Sequence, residues 1–293
     1  MDYRFRDWFG VRGGKVKTVV GLYNDTQDME FLHPWALLPQ SAYPTDLRSV
    51  NIAHTGGDVY GRIGLSRFGS VSYVGYGGAQ PVDTKSGFIY GVVDQGFSKV
   101  SYSGMNGGYD VRWSTPIPGL RGGLSYLRTE TTVTATFKIY PASAEMHSRR
   151  KAVYAEQRWH GLTLASEYHW EPRVTDIAVA GRSQPVRNVQ NTAFYVSAAY
   201  RVKKWFQVGT YHSRYKFEAT AVPGLLPASN SYINDQTVTT RFDFLRHWTC
   251  KVEGHFMDGV GSSLGAHGFY VSDNPQGLKQ RTNLLVLRLG INL

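Results

Sequence analysis

Polar and apolar residues alternate with period two through much of the chain. In 192–202, Phe194, Val196, Ala198, Tyr200 and Val202 share one face, and Ala193, Tyr195, Ser197 and Arg201 the other. The same rhythm runs through 162–171, 237–244 and 248–258, and more weakly through 69–78 and 120–130. Period two predicts strands with two unlike faces. Tight turns are expected at "WFGVR", "LSRFGSV", "TPIPGL", "WHGLT", "VKKWF" and "RHWTC". Long connections are expected at about 24–56, 79–107, 131–149, 172–190, 217–234 and 259–281. Short and long alternate strictly, so a meander would gather every long connection on one rim. Transmembrane barrels are built that way, whereas Greek-key sandwiches have no reason to sort loops by end. The expectation is an all-β, up-and-down antiparallel transmembrane β-barrel, one domain over 1–293, with about thirteen strands in this chain.

Two details turn the apolar face outward. The polar faces carry closely spaced charges of both signs, and aromatics gather at strand ends: Trp8, Trp113, Trp159, Trp170, Trp205 and Trp248. Indoles suit a membrane interface, which satisfies both an apolar body and a polar tip. Parity adds an expectation. The first strand (2–9) and the last (282–293) run the same way, whereas single-chain bacterial barrels have an even count. Either N-terminal strands and a signal peptide precede Met1 in a longer native chain, or a hairpin lies hidden at 86–106. "MDYRFRDWFG" has neither the apolar region nor the cleavage site of a signal peptide.

Mean hydropathy is −0.32 and no apolar run is long enough for a membrane helix; neither fact bears on strands that alternate. Aromatics make up 14% of the chain and there are 32 glycines, a composition that suits tilted strands and girdles. The net charge of +10 suits an anion-lined interior or an anionic partner surface. Basic residues are dispersed, the longest run being "SRRK" (148–151), which argues against nucleic-acid binding. The single cysteine, Cys250, excludes an internal disulfide.

Residues 10–49, "GVRGGKVKTVVGLYNDTQDMEFLHPWALLPQSAYPTDLRS", followed by "GGDVYG", resemble bacterial porins of the phosphate-selective porin O and P-like group. The resemblance covers roughly residues 1–80. It implies a sixteen-stranded outer-membrane barrel of Gram-negative bacteria, a homotrimer, and a long loop folded inward to narrow the pore. This chain departs from the pattern by lacking the expected N-terminal strands and by ending in Leu293 rather than an aromatic.

The stretch 24–56 is far longer than an ordinary hairpin connection. Its prolines (Pro34, Pro39, Pro44) and apolar residues (Trp35, Leu37, Leu38) argue for order, and the resemblance makes it the constriction loop. A wide water-filled barrel discriminates poorly, so selectivity needs ordered charge inside it. In the loop the candidates are Asp25, Asp28, Glu30, His33, Asp46 and Arg48. On the strands they are Lys15 and Lys17, forming one rung, with Arg62, Arg112 and Arg241. Bases outnumber acids on the polar faces, so the expected activity is passive diffusion of small hydrophilic solutes with a weak anion preference. Outer-membrane lipid and lipopolysaccharide are the expected surroundings. No catalytic fingerprint, metal-ligand spacing or cofactor motif is present, so neither an enzyme nor a cofactor is expected. Two other readings fit the same pattern: a soluble or surface β protein binding glycan or ligand through its loops, and a plugged, non-conducting barrel.

Overall fold

The computed structural model describes residues 1–219, 231–244, 247–261 and 270–291. They form one antiparallel sheet of fourteen strands: β1 (Asp2–Arg6), β2 (Phe9–Lys17), β3 (Ala53–Gly64), β4 (Ser70–Ala79), β5 (Phe97–Ser114), β6 (Leu120–Phe137), β7 (Tyr140–Trp159), β8 (Leu162–Val179), β9 (Arg182–Ser183), β10 (Arg187–Lys203), β11 (Phe206–Ala219), β12 (Tyr232–Phe244), β13 (Trp248–Asp258) and β14 (Arg281–Ile291). Each strand pairs with the next, except that the two-residue β9 lies beside β8, which pairs onward with β10. Thirteen strands therefore form the continuous path, in the order of a meander. Among the described residues no pairing joins β1 to β14.

The sheet turns its polar face inward. On β10, Tyr195 is 0% exposed and its neighbour Val196 is 47% exposed. The inner register runs from Glu167 through Tyr195 and Ser213 to Asp235, all buried. On the other face, Tyr168, Phe194, Val238, Phe256 and Leu285 are all exposed. A water-soluble barrel would reverse this pattern; an apolar outer face suits hydrocarbon. Trp113, Trp159 and Trp205 stand exposed at the short-turn end.

The strict alternation of short and long connections does not survive. At 131–149, β6 and β7 continue to a tight hairpin, with Phe137 opposite Tyr140. The run "TETTVTATF" is rich in β-branched residues, and a neighbouring strand keeps it paired. The 172–190 stretch is likewise mostly strand, taken up by β8, β9 and β10. No hairpin lies hidden at 86–106, where a helix, α1 (Gly87–Asp94), is capped by the Ser86 hydroxyl accepting from the Ile89 N–H. Parts of the 217–234 and 259–281 connections, and of the "RHWTC" turn, fall outside the described residues.

Strands β6, β7 and β8 have 18, 20 and 18 residues, well beyond the roughly 9–11 that cross a bilayer. They rise past the apolar belt on the side of the long connections.

A polar inner face cannot make a hydrophobic core by itself, and the core sits where 18–52 meets it. Leu22, Tyr23, Ala42 and Tyr43 pack with Tyr154, Ala165 and Tyr195. Val19 and Val20 pack with Val74, Tyr76 and Leu127, Trp35 with Ala199 and Tyr211, and Val50 with Tyr102 and Val133.

Candidate functional site: the segment between β2 and β3

Residues 18–52 contain only short 3-10 turns and one helical turn, Arg48–Asn51. Such a segment leaves most of its backbone N–H and C=O groups without partners of its own, and burial makes partners obligatory. The strands provide them, often with charged side chains. Leaving β2, the chain is held by Ser125 Oγ, which accepts from the Gly21 N–H at 2.9 Å, and by Arg112, which donates to the Gly21 carbonyl at 3.3 Å. Glu167 then accepts from the Leu22 N–H (3.2 Å), the Tyr43 hydroxyl (2.5 Å), the Tyr195 hydroxyl (3.0 Å) and His169 Nε2 (2.6 Å). Further toward the short turns, the Tyr23 hydroxyl donates to Glu156 at 3.1 Å.

The next stretch is gripped from β12, β13 and β14. Arg241 donates to the carbonyls of Phe31 (2.7 Å) and His33 (3.0 Å), and Lys251 to those of Glu30 (2.6 Å) and Trp35 (2.8 Å). Glu253 accepts from the Ala36 and Leu37 N–H groups, both at 2.9 Å, while His255 Nε2 lies 3.1 Å from the oxygen that Leu37 bonds. Arg288 donates to the Ala36 carbonyl at 2.5 Å and pairs with Glu30. Bases thus meet carbonyls and acids meet amides, so these charges position the backbone.

Two glycines permit the close approach. Gly21 has φ +71°, and a Cβ there would lie 1.9 Å from Glu167 Oε1. Gly209 lies under the Trp35 ring, with its Cβ position 2.9 Å from Cη2. Trp35 meets Tyr211 edge-on at 5.1 Å.

The sequence candidates fall into distinct groups. Arg112 and Arg241 hold the segment as described. Glu30 reaches Arg288, and Arg48 stands 3.9 Å from Glu30. Asp28 pairs with Lys17; burial pushes its carboxyl up, but the Lys17 ammonium outweighs this and holds it below the usual range. Asp46 accepts from the Tyr270 hydroxyl at 3.1 Å. One Asp25 oxygen is buried without a hydrogen-bond partner. Two candidates, Arg62 and Lys15, stand apart from the segment. Arg62 donates to Ser70 Oγ (2.9 Å) on the neighbouring strand. The Lys15 side chain is exposed and makes no hydrogen bond or ion pair among the described residues. Lys15 and Lys17 form no inner rung, because Val16 occupies the face opposite buried His54, where Gly14 and Arg12 also lie.

His33 is buried, and its Nε2 donates to the Thr26 carbonyl at 3.0 Å, which requires a proton on Nε2. Burial pushes its pKa from 6.5 down to about 4, the Lys251 ammonium acts in the same direction, and the bond to Thr26 opposes both. A depressed folded-state pKa means the contribution to stability is complete above 6.5 and is lost as pH falls from there toward 4. A shift of this size corresponds to about 3 kcal/mol. We expect proteolysis of the segment to accelerate over that window, and His33→Gln to flatten the change; identical pH profiles for the two proteins would refute it.

Sequence reasoning did not single out Glu167, Glu253, Lys251 and Arg288 as contacts. The available signal was their place on the polar faces; which of these residues meet 18–52 is a matter of depth along the strand, which periodicity does not encode.

No family model matches the chain, and no curated protein matches it. Solved structures do resemble it. One is outer-membrane expressed OmpT of Vibrio cholerae, 12% identical with TM-score 0.42, over 87% of this chain and 68% of that one. A loop L8 deletion mutant of the same protein gives 12% and 0.49, over 88% and 72%. The in-vitro folded trimer form gives 12% and 0.47, over 97% and 76%. The expectation that this chain is not an enzyme does not stand as a conclusion: likenesses to proteins described as OmpT bear on the fold and give no ground for excluding catalysis. At these identities and scores the comparisons extend to fold alone: this chain is an all-β, up-and-down antiparallel sheet similar to those of outer-membrane β-barrel proteins.

Proposed function

We propose that the protein is an outer-membrane porin, a water-filled pore for passive diffusion of small hydrophilic solutes, in which 24–56 is the constriction. The observation that carries this reading is the segment lying against the polar face with a space on either side. Toward the long connections is a cavity of about 160 Å³ bordered by Pro44, Phe88, Arg150 and Arg173. Toward the short turns is one of about 470 Å³ bordered by His33, Pro34, Arg158 and Arg201. The resemblance of 10–49 to the phosphate-selective porin O and P-like group supports the same reading and, with it, a homotrimer surrounded by outer-membrane lipid and lipopolysaccharide. Phosphate selectivity does not follow from these residues.

Most charges of the segment are consumed by partners, so selectivity falls to the bases left over. Arg173 Nε is buried without a hydrogen-bond partner, beside the Arg150–Glu171 ion pair at 2.7 Å. A weak anion preference is the consequence. In planar bilayers the refolded protein is expected to conduct in steps, with a reversal potential of anionic sign across a salt gradient, and Arg173→Glu to move that potential toward cation selectivity. The second reading, a barrel plugged by the segment, is favoured by the number of bonds that fix 18–52 to the strands. It predicts no steps at all.

A further inference from the structure

The outer surface of β5–β8 carries an ordered band just past the apolar belt. Tyr109, Tyr126, Lys151 and Trp170 are consecutive cross-strand neighbours. The two tyrosine rings stack at 5.7 Å, and the Lys151 ammonium sits 5.0 Å over the Trp170 ring. Aromatic rings with a lysine alongside mark the level where hydrocarbon gives way to headgroups. One register step farther out, Arg128 stands directly opposite Arg149, both exposed. Like charges directly opposite each other on a sheet repel. Only Arg128 has a compensating partner, Glu130, and Arg149 makes no hydrogen bond or ion pair among the described residues. Three bases and one acid therefore share a small patch at headgroup level.

We propose that Arg128, Arg149 and Lys151 form a docking site for the phosphate of a membrane lipid in the leaflet on the side of the long connections. A phosphate between the two guanidinium groups would relieve their repulsion and accept paired N–H donors, which suits arginine geometry. A lipid supplies that anion with its acyl chains laid along the apolar face below, around Val153 and Tyr168, so the headgroup arrives at high local concentration. Free phosphate has no such anchor on an exposed surface. This inference rests on the outer face meeting lipid, and not on conduction.

The test uses the full chain in non-ionic detergent, with added lipid A bearing two phosphates, its dephosphorylated form, or inorganic phosphate. The midpoint of thermal unfolding is expected to rise by several degrees with the phosphorylated lipid alone. Arg128→Gln with Arg149→Gln should weaken that lipid's apparent affinity about tenfold. Arg149→Lys should keep most of it, and Arg214→Gln, an exposed base elsewhere on the outer face, should keep all of it. An equal rise with dephosphorylated lipid or with inorganic phosphate overturns the proposal, as does a double variant that binds normally. If the double variant does not fold, the three-ligand comparison on the unaltered protein still decides. Bilayer recordings of the same preparation separate the two readings: lipid discrimination without conductance removes the porin reading and leaves this one.

Discussion

Glu167→Ala is expected to release the segment from the strands while leaving the sheet assembled. This one carboxylate accepts from the Leu22 amide, the Tyr43 and Tyr195 hydroxyls and His169, and it is buried. Burial raises the pKa of the Tyr43 hydroxyl and the carboxylate beside it raises it further, so Tyr43 stays a donor. Removing the acceptor strands buried donors at about 1–3 kcal/mol each, and breaking a buried charged network costs about 3–5 kcal/mol in total. The strand ladders do not involve this side chain and should survive. Proteolytic cleavage within 24–51 should accelerate more than tenfold, with the gel mobility of the folded sheet retained and any unitary conductance increased. Glu167→Gln should fall between, since an amide keeps one acceptor oxygen and turns an N–H₂ toward a donor. Cleavage as slow as in the unaltered protein would show that Glu167 does not hold the segment.

The second large effect is expected at Trp35. Its ring is buried on Tyr211 and Ala199, and truncating a buried aromatic to alanine costs about 3–5 kcal/mol. The loss should appear as faster hydrogen exchange at Ala36 and Leu37, whose amides are bonded to Glu253. Gly209 makes the test specific. A methyl there would press on the Trp35 ring, so Gly209→Ala alone should also loosen the segment. In a chain already carrying Trp35→Ala the same change should be close to neutral, because the clashing partner is gone. Additive effects would mean that Gly209 matters for the strand itself and not for the seat of the ring.

Much of this architecture was legible beforehand. Period two in 192–202 and 248–258 sorted inner from outer residues correctly, because a strand forces alternate side chains to opposite faces whatever its surroundings. The order of a segment holding Trp35, Leu37 and Leu38 was legible too, since apolar side chains of that size are costly to leave solvated. The hairpin at Phe137–Tyr140 was not, because whether a polar, Thr-rich run becomes loop or strand depends on a partner at matching register. The Lys15 and Lys17 rung failed at a single position: Val16, lying between them, takes the inner face, and a one-residue shift of parity moves every side chain to the other side.

By itself, the sequence determined that the chain makes a long antiparallel meander with two unlike faces and one large ordered interruption, since these follow from local periodicity and composition. Tertiary structure alone decided what the charges do. Lys251, Glu253, Arg241 and Glu167 look like solvated lumen residues in one dimension, yet each ends within hydrogen-bond distance of a residue between 124 and 221 positions away in the chain. Apart from the Tyr43 hydroxyl on Glu167, their partners in the segment are backbone groups, which every residue carries and no sequence pattern marks.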